Sequence, residues 1–318
     1  MQKITYFIFA LCVLASCQKK QASGYVSELL ELPTEHTIRA ICVQPNGTIR
    51  ASGGTIFGSG IVLERLPQST TWDTIAVPNQ GVPSLDYRNG EFSFVQAGNT
   101  LYRAPTAQNY QTYLALGWWN WQQHVALDNG NILLVGGENF GRGFIHIQEA
   151  GQSDLTLVDT FEHELRDIAY TSQQEIYVVG YGLVMQSSDG GYTWQHRNVT
   201  GDFFVGVDFP TAAVGYVLGE YGSVHKTTDA GATWKQVRLG NSLFASGKVR
   251  FRDLAFWDEN QGLLVATNNR IWRTQDGGKT WHQFNDLEVG ADFESITIQD
   301  DRAYLGATHG KILQIDLE

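Results

Sequence analysis

The fold class that the sequence predicts is all-β, and three observations carry that reading. Among 318 residues are 34 glycines, 9 tryptophans, 13 tyrosines and 16 phenylalanines, a mixture that suits short strands and tight turns better than helices. A unit of about forty residues recurs along the chain, and an eight-residue turn closes three of the units. The 42% hydrophobic and 17% charged residues exclude a disordered chain or a coiled coil. A formal charge of −11 argues against a nucleic-acid partner, which would call for a basic surface.

Taken in order, the N-terminus reads as an address. One lysine, Lys3, precedes an apolar run from Ile4 to Ala15 and then Ser16-Cys17. That is the layout of a secretory signal peptide, and the run is too short to span a bilayer. Leu14-Ala15-Ser16-Cys17 resembles the bacterial lipobox. It implies removal of residues 1–16, acylation of Cys17 and anchoring in the membrane through the N-terminal lipid. Residues 17–24 then form a short polar tether, and Gln18 after the cysteine fits an outer-membrane destination. With Cys12 removed and Cys17 acylated, Cys42 stands alone, so no internal disulfide is expected.

The propeller domain is expected over 25–318. Ser187 to Trp194, Thr227 to Trp234 and Thr274 to Trp281 all read Ser/Thr-x-Asp-x-Gly-x-Thr-Trp, the Asp-box of BNR repeats. Aspartate there caps backbone amides and glycine supplies a positive φ. Asp189, Asp229 and Asp276 are therefore read as structural, and Trp194, Trp234 and Trp281 as residues packed at the start of an outer strand. Each box follows a short strand, and similar strands recur where the box has decayed. Val62, Leu101, Ile145, Val184, Val224, Ile271 and Ile312 mark seven of them, 39 to 47 residues apart. Four strands per unit at this period describe β-propeller blades, here a single seven-bladed domain. The last unit ends a strand short. Tyr25 to Glu31 supplies it, closing the ring with both chain ends in one blade.

In such a ring the innermost strands line a channel. Aligning them on Ile41, Leu85, Val125, Ile168, Val207, Leu254 and Ile296 brings a column into register two residues earlier: Arg39, Pro83, Gln123, Arg166, Val205, Arg252 and Glu294. Three arginines from three blades offer rigid forks for a carboxylate or phosphate. In the competing reading they pair with Asp167, Asp253 or Glu294. Trp118 and Trp119, in the connector leading into blade 3, are candidates to edge that mouth, where tryptophan can stack on a sugar or anchor a protein. The alternative for them is wedging between blades. Gly136 to Gly143 reads as a hairpin with no helix to hold a phosphate. The histidines are scattered without metal-ligand spacing, so neither metal nor cofactor is expected.

Over blades 4–6, the rhythm from Gly180 to Trp194 and from Gly219 to Trp234 resembles the photosystem II stability/assembly factor family of BNR propellers. That resemblance implies seven blades and a partner protein bound through an arginine-rich patch, for which Arg39, Arg166 and Arg252 are the candidates. The competing class is a sialidase-like or other glycoside hydrolase acting on glycans. It is disfavoured because the Phe/Tyr-Arg-Ile/Leu-Pro motif is unmatched and no carboxylate pair can be nominated. The expectation is a monomeric, exported binding or assembly scaffold, with the glycoside hydrolase kept as the alternative.

Overall fold

The protein is described from a computed structural model covering residues 19–22, 25–55, 57–104, 109–138, 141–172, 174–240, 249–284, 287 and 289–317. The expected signal peptide and lipid-bearing Cys17 lie outside the described residues. Twenty-nine strands are described, and no helix. They form seven antiparallel sheets, six of four strands and one of five. The innermost strands are Ile38–Val43, Ser84–Arg88, Trp121–Ala126, Leu165–Tyr170, Phe204–Asp208, Phe251–Phe256 and Phe293–Gln299.

Inner strands that alternate apolar and polar residues would suit a sheet with one wet face. Here Ile176–Gly180 and Leu183–Ser187 are buried at every position, because neighbouring blades cover both faces. The outer strands, such as Gln195–Arg197, are the ones that lie mostly in water. Tyr25–Glu31 pairs antiparallel with Lys311–Asp316, so an N-terminal strand and the last strand close blade 7 as expected. Lys19–Ala22 adds a fifth strand outside it, with Lys19 opposite Glu28, where the sequence pattern suggested only a tether.

Each closing turn is a small hydrogen-bond cage. Asp189 Oδ1 accepts the amides of Tyr192 at 3.0 Å and Thr193 at 2.9 Å, while Oδ2 accepts the Thr193 hydroxyl at 2.6 Å. Slight burial pushes this carboxyl up, but those bonds outweigh it and hold it at about 2. Asp229 and Asp276 make equivalent bonds to Thr233 and Thr280. The indoles of Trp194, Trp234 and Trp281 each donate to the carbonyl of the glycine three residues earlier in their own turn, Gly191, Gly231 and Gly278.

A second repeating device joins blades 4, 5 and 6. Tyr177 stacks on Phe209 at 3.9 Å, and Trp234 meets Phe209 edge-on. One blade further, Tyr216 stacks on Phe256 at 3.6 Å, and Trp281 meets Phe256 edge-on. Each tyrosine hydroxyl donates to a backbone carbonyl of the next blade, Ala230 at 2.8 Å or Glu259 at 2.7 Å. The rings supply buried area and the hydroxyls fix its register.

Candidate functional site

Six of the seven innermost strands slip register by one residue where they begin. The skipped residues are Arg39, Gln122, Arg166, Val205, Arg252 and Glu294, and Pro83 precedes the paired segment of blade 2. A bulge leaves its extra residue unpaired and re-aims its side chain. All seven line one cavity of about 160 Å³ at a mouth of the channel, together with Gln123, Asp167, Glu220, Asp253 and Ser295. The column expected from sequence is thus brought together at one mouth. In blade 3 the bulged residue is Gln122, one before the nominated Gln123. Gln123 also lines the cavity, but its carbonyl accepts the Ser84 hydroxyl.

The arginines differ in how they are held. Arg39 is exposed, and its Nε–H donates to the Gly54 carbonyl at 3.1 Å. Among the described residues no carboxylate lies within ion-pair distance of it. Arg166 faces Glu164 at 3.4 Å, and Arg252 lies between Glu220 at 3.7 Å and Glu294 at 3.5 Å. Glu294 therefore does pair with an arginine.

Asp167 and Asp253 do not cap the arginines. Asp167 Oδ2 accepts the Val207 amide at 2.8 Å and Asp253 Oδ2 the Ile296 amide at 2.9 Å, each across a blade seam. Asp86 and Asp208 do the same to Ala126 and Phe256, two positions further along their strands. Burial pushes Asp167 up to about 6 and Asp208 up to about 7. Burial, then the charge of Asp167, drives Asp253 well above the usual carboxylate range. These acids are seam clasps.

Aromatic groups edge the mouth in two places. Tyr181, Phe203 and Tyr221 form a row, with ring centres 4.4 and 5.8 Å apart. Arg166 lies over Tyr181 and Arg250 over Tyr221. On the other side Trp118, 41% exposed, stacks on Phe57 at 5.9 Å. Trp119 is no surface platform. Its indole donates to the Leu116 carbonyl at 2.8 Å and its ring packs edge-on against Phe144 and His146. The Tyr181–Phe203–Tyr221 row and Glu220 were missed by sequence reading, because they sit on hairpins and connectors outside the aligned strands. No group of three or more metal-binding side chains occurs among the described residues.

Fold and repeat define the class: a seven-bladed β-propeller of four-stranded blades, similar over part of its length to photosystem II assembly factors. A family model described as Photosynthesis system II assembly factor YCF48 matches residues 152–249. The photosystem II assembly protein Ycf48 of Synechococcus sp. is 30% identical over 134 residues, 40% of this chain and 39% of that protein. The photosystem II assembly lipoprotein Ycf48 of Prochlorococcus marinus is 35% identical over 78 residues, 24% of this chain and 21% of that protein. The chain thus spans about two fifths and one fifth of the length of these relatives. A solved structure of YCF48 bound to D1 peptide superposes with a TM-score of 0.72 at 18% identity, covering 92% of this chain and 97% of that one. At that identity the likeness is one of fold.

Proposed function

We propose that this protein is an exported, lipid-anchored propeller that binds a partner protein and grips an anionic group of it at the channel mouth. The observation that carries this reading is the convergence of Arg39, Arg166 and Arg252 on one cavity, with Arg39 exposed and free of any carboxylate among the described residues. A guanidinium with open donors favours a carboxylate or phosphate and offers it bidentate geometry. Beside it, the Tyr181–Phe203–Tyr221 row gives a partner segment apolar rings to lie on. The partial similarity to photosystem II assembly proteins, together with a fold neighbour solved as YCF48 bound to D1 peptide, supports a protein ligand.

A binding role also fits the mouth better than glycan hydrolysis. Asp167 and Asp253, which follow Arg166 and Arg252 in sequence, are committed to backbone amides, Glu164 faces Arg166, and Glu220 and Glu294 both face Arg252. We read the Ser/Thr-x-Asp-x-Gly-x-Thr-Trp turns as Asp-boxes with a structural role. Anchoring rests on the lipobox-like Leu14 to Cys17, and Gln18 fits the outer membrane as destination. The lipoprotein name of the Prochlorococcus relative supports an anchored form.

The test is affinity capture of the acylated protein from its own membrane, wild type against the triple variant Arg39→Ala, Arg166→Ala, Arg252→Ala. A variant that melts near the wild-type temperature and loses the captured partner is the expected result. Identical partner sets from the two captures would exclude the mouth as the binding surface.

A further inference from the structure

Four loops of blades 1 to 3 stand on the mouth side: 54–60, 77–83, 97–99 and 115–120. Together they contain no charged residue, in a chain whose net charge is −11. They are also tied into one platform. Gly60 donates to the Pro78 carbonyl, Gly81 to Thr55, Ala97 to Gly81 and Trp119 to Gly98, all at 2.8 to 2.9 Å. From this platform Phe57, Val77, Leu116 and Trp118 project, with Phe57 87% and Leu116 94% exposed. Elsewhere the mouth side is charged, with Glu138 and Arg142 on blade 3, Asp202, Glu220 and Arg250 around blade 5, and Glu35 facing His309 at 3.8 Å beside blade 7.

The path of the N-terminal strand says what this platform meets. Glu31 pairs with Lys311, at the mouth-side end of blade 7. Lys19–Ala22 runs antiparallel to Tyr25–Glu31, with Lys19 opposite Glu28, so Lys19 stands at the mouth-side end of its strand. Cys17 lies two residues further, a reach of at most about 7 Å. Blade 7 neighbours blade 1 in the ring, where the uncharged platform begins.

We infer that the platform of Phe57, Val77, Leu116 and Trp118 rests on the lipid surface that holds the anchor, with the channel mouth turned toward the membrane. The inference rests on the lipid-anchor reading of Cys17. An uncharged apolar face rimmed by tryptophan and phenylalanine suits the headgroup boundary. No helix among the described residues is long and apolar enough to cross a membrane, and the exposed side chains of the platform stand at loop tips. Held this way, the arginine mouth opens toward segments that emerge from the bilayer, and the box turns face away from it.

The experiment uses the acylated protein purified from its membrane and inserted into phosphatidylcholine vesicles with brominated acyl chains, which quench tryptophan on contact. Trp118 is expected to supply at least half of the quenched fluorescence, so Trp118→Phe should cut the quenching twofold or more. Leu116→Ser, at a fully exposed tip, should weaken the quenching of wild-type Trp118. Quenching that Trp118→Phe leaves unchanged, or no quenching of the acylated protein, overturns the inference. Mass measurement of the peptide containing Cys17 separates the two readings. An unmodified Cys17 overturns the anchor and the orientation with it, while acylated Cys17 without Trp118 quenching overturns the orientation alone.

Discussion

Asp208 shows how one residue can serve the ring and strain it. Its Oδ2 accepts the Phe256 amide at 2.7 Å across a blade seam, and burial pushes its carboxyl up to about 7. Asp167, one blade away, is pushed up to about 6 by the same cause. For a carboxyl raised on folding, stability is full below the unfolded value near 4 and is lost as pH rises through the folded value. Each unit of such a shift corresponds to about 1.4 kcal/mol. Wild-type Tm should therefore fall between about pH 4 and pH 7. Asp208→Asn keeps an oxygen for the Phe256 amide and removes the titration, so its melting curves should depend less on pH. Calorimetry across a pH series reads this directly, and a variant with the wild-type slope would refute it. The same scale shows where sequence reading slipped. Apolar residues defined the strand columns, but the blade 3 counterpart of Ile168 is His124, buried between Ser84 at 2.6 Å and Ser93 at 2.9 Å. A satisfied polar residue in an apolar column moved the alignment to Val125, and so replaced Gln122 with Gln123.

Among the elements, the seams between blades explain what the period alone could not show. The strands and box turns were legible because each is local: apolar runs between glycines, and a capped turn within eight residues. The tyrosine–phenylalanine stacks join residues 32 and 40 positions apart, Tyr177 with Phe209 and Tyr216 with Phe256, which no local pattern announces. Asp167 and Asp253 are the sharper case. Beside arginines in sequence they read as charge partners, yet the bulge turns the arginine toward the channel and leaves the aspartate to the next blade's amide. The contribution of a seam is separable by substitution. Tyr216→Phe keeps the stack at 3.6 Å and loses only the bond to the Glu259 carbonyl, so a loss of about 1 kcal/mol is expected. Tyr216→Ala removes the buried ring as well and should cost about 3–5 kcal/mol. Denaturant melts of the two variants check the gap, and equal losses would mean that the ring contributes little.

At the scale of the whole molecule, a ring of seven sheets is only as complete as its closing blade. Length alone allowed two domains; the missing strand of the last repeat and its match at Tyr25 to Glu31 reduced that to one. Lys311–Asp316 would otherwise present an unpaired edge, and Leu30 and Ile312, both buried, would be exposed. Open edges of that kind invite pairing with other chains. Lys19–Ala22 stands differently, added outside an already complete four-stranded blade. Two truncations of the signal-less chain separate these roles. A chain starting at residue 23 loses the fifth strand and should melt as one transition, within a few degrees of the parent. A chain starting at residue 32 loses Tyr25–Glu31 and should elute as soluble aggregate or melt in more than one step, because blade 7 can no longer lock the ring. Size-exclusion chromatography with a thermal melt distinguishes them. If the shorter chain remained monomeric with the parent's single transition, closure by the N-terminal strand would not be what holds the ring together, and the seams between blades would suffice.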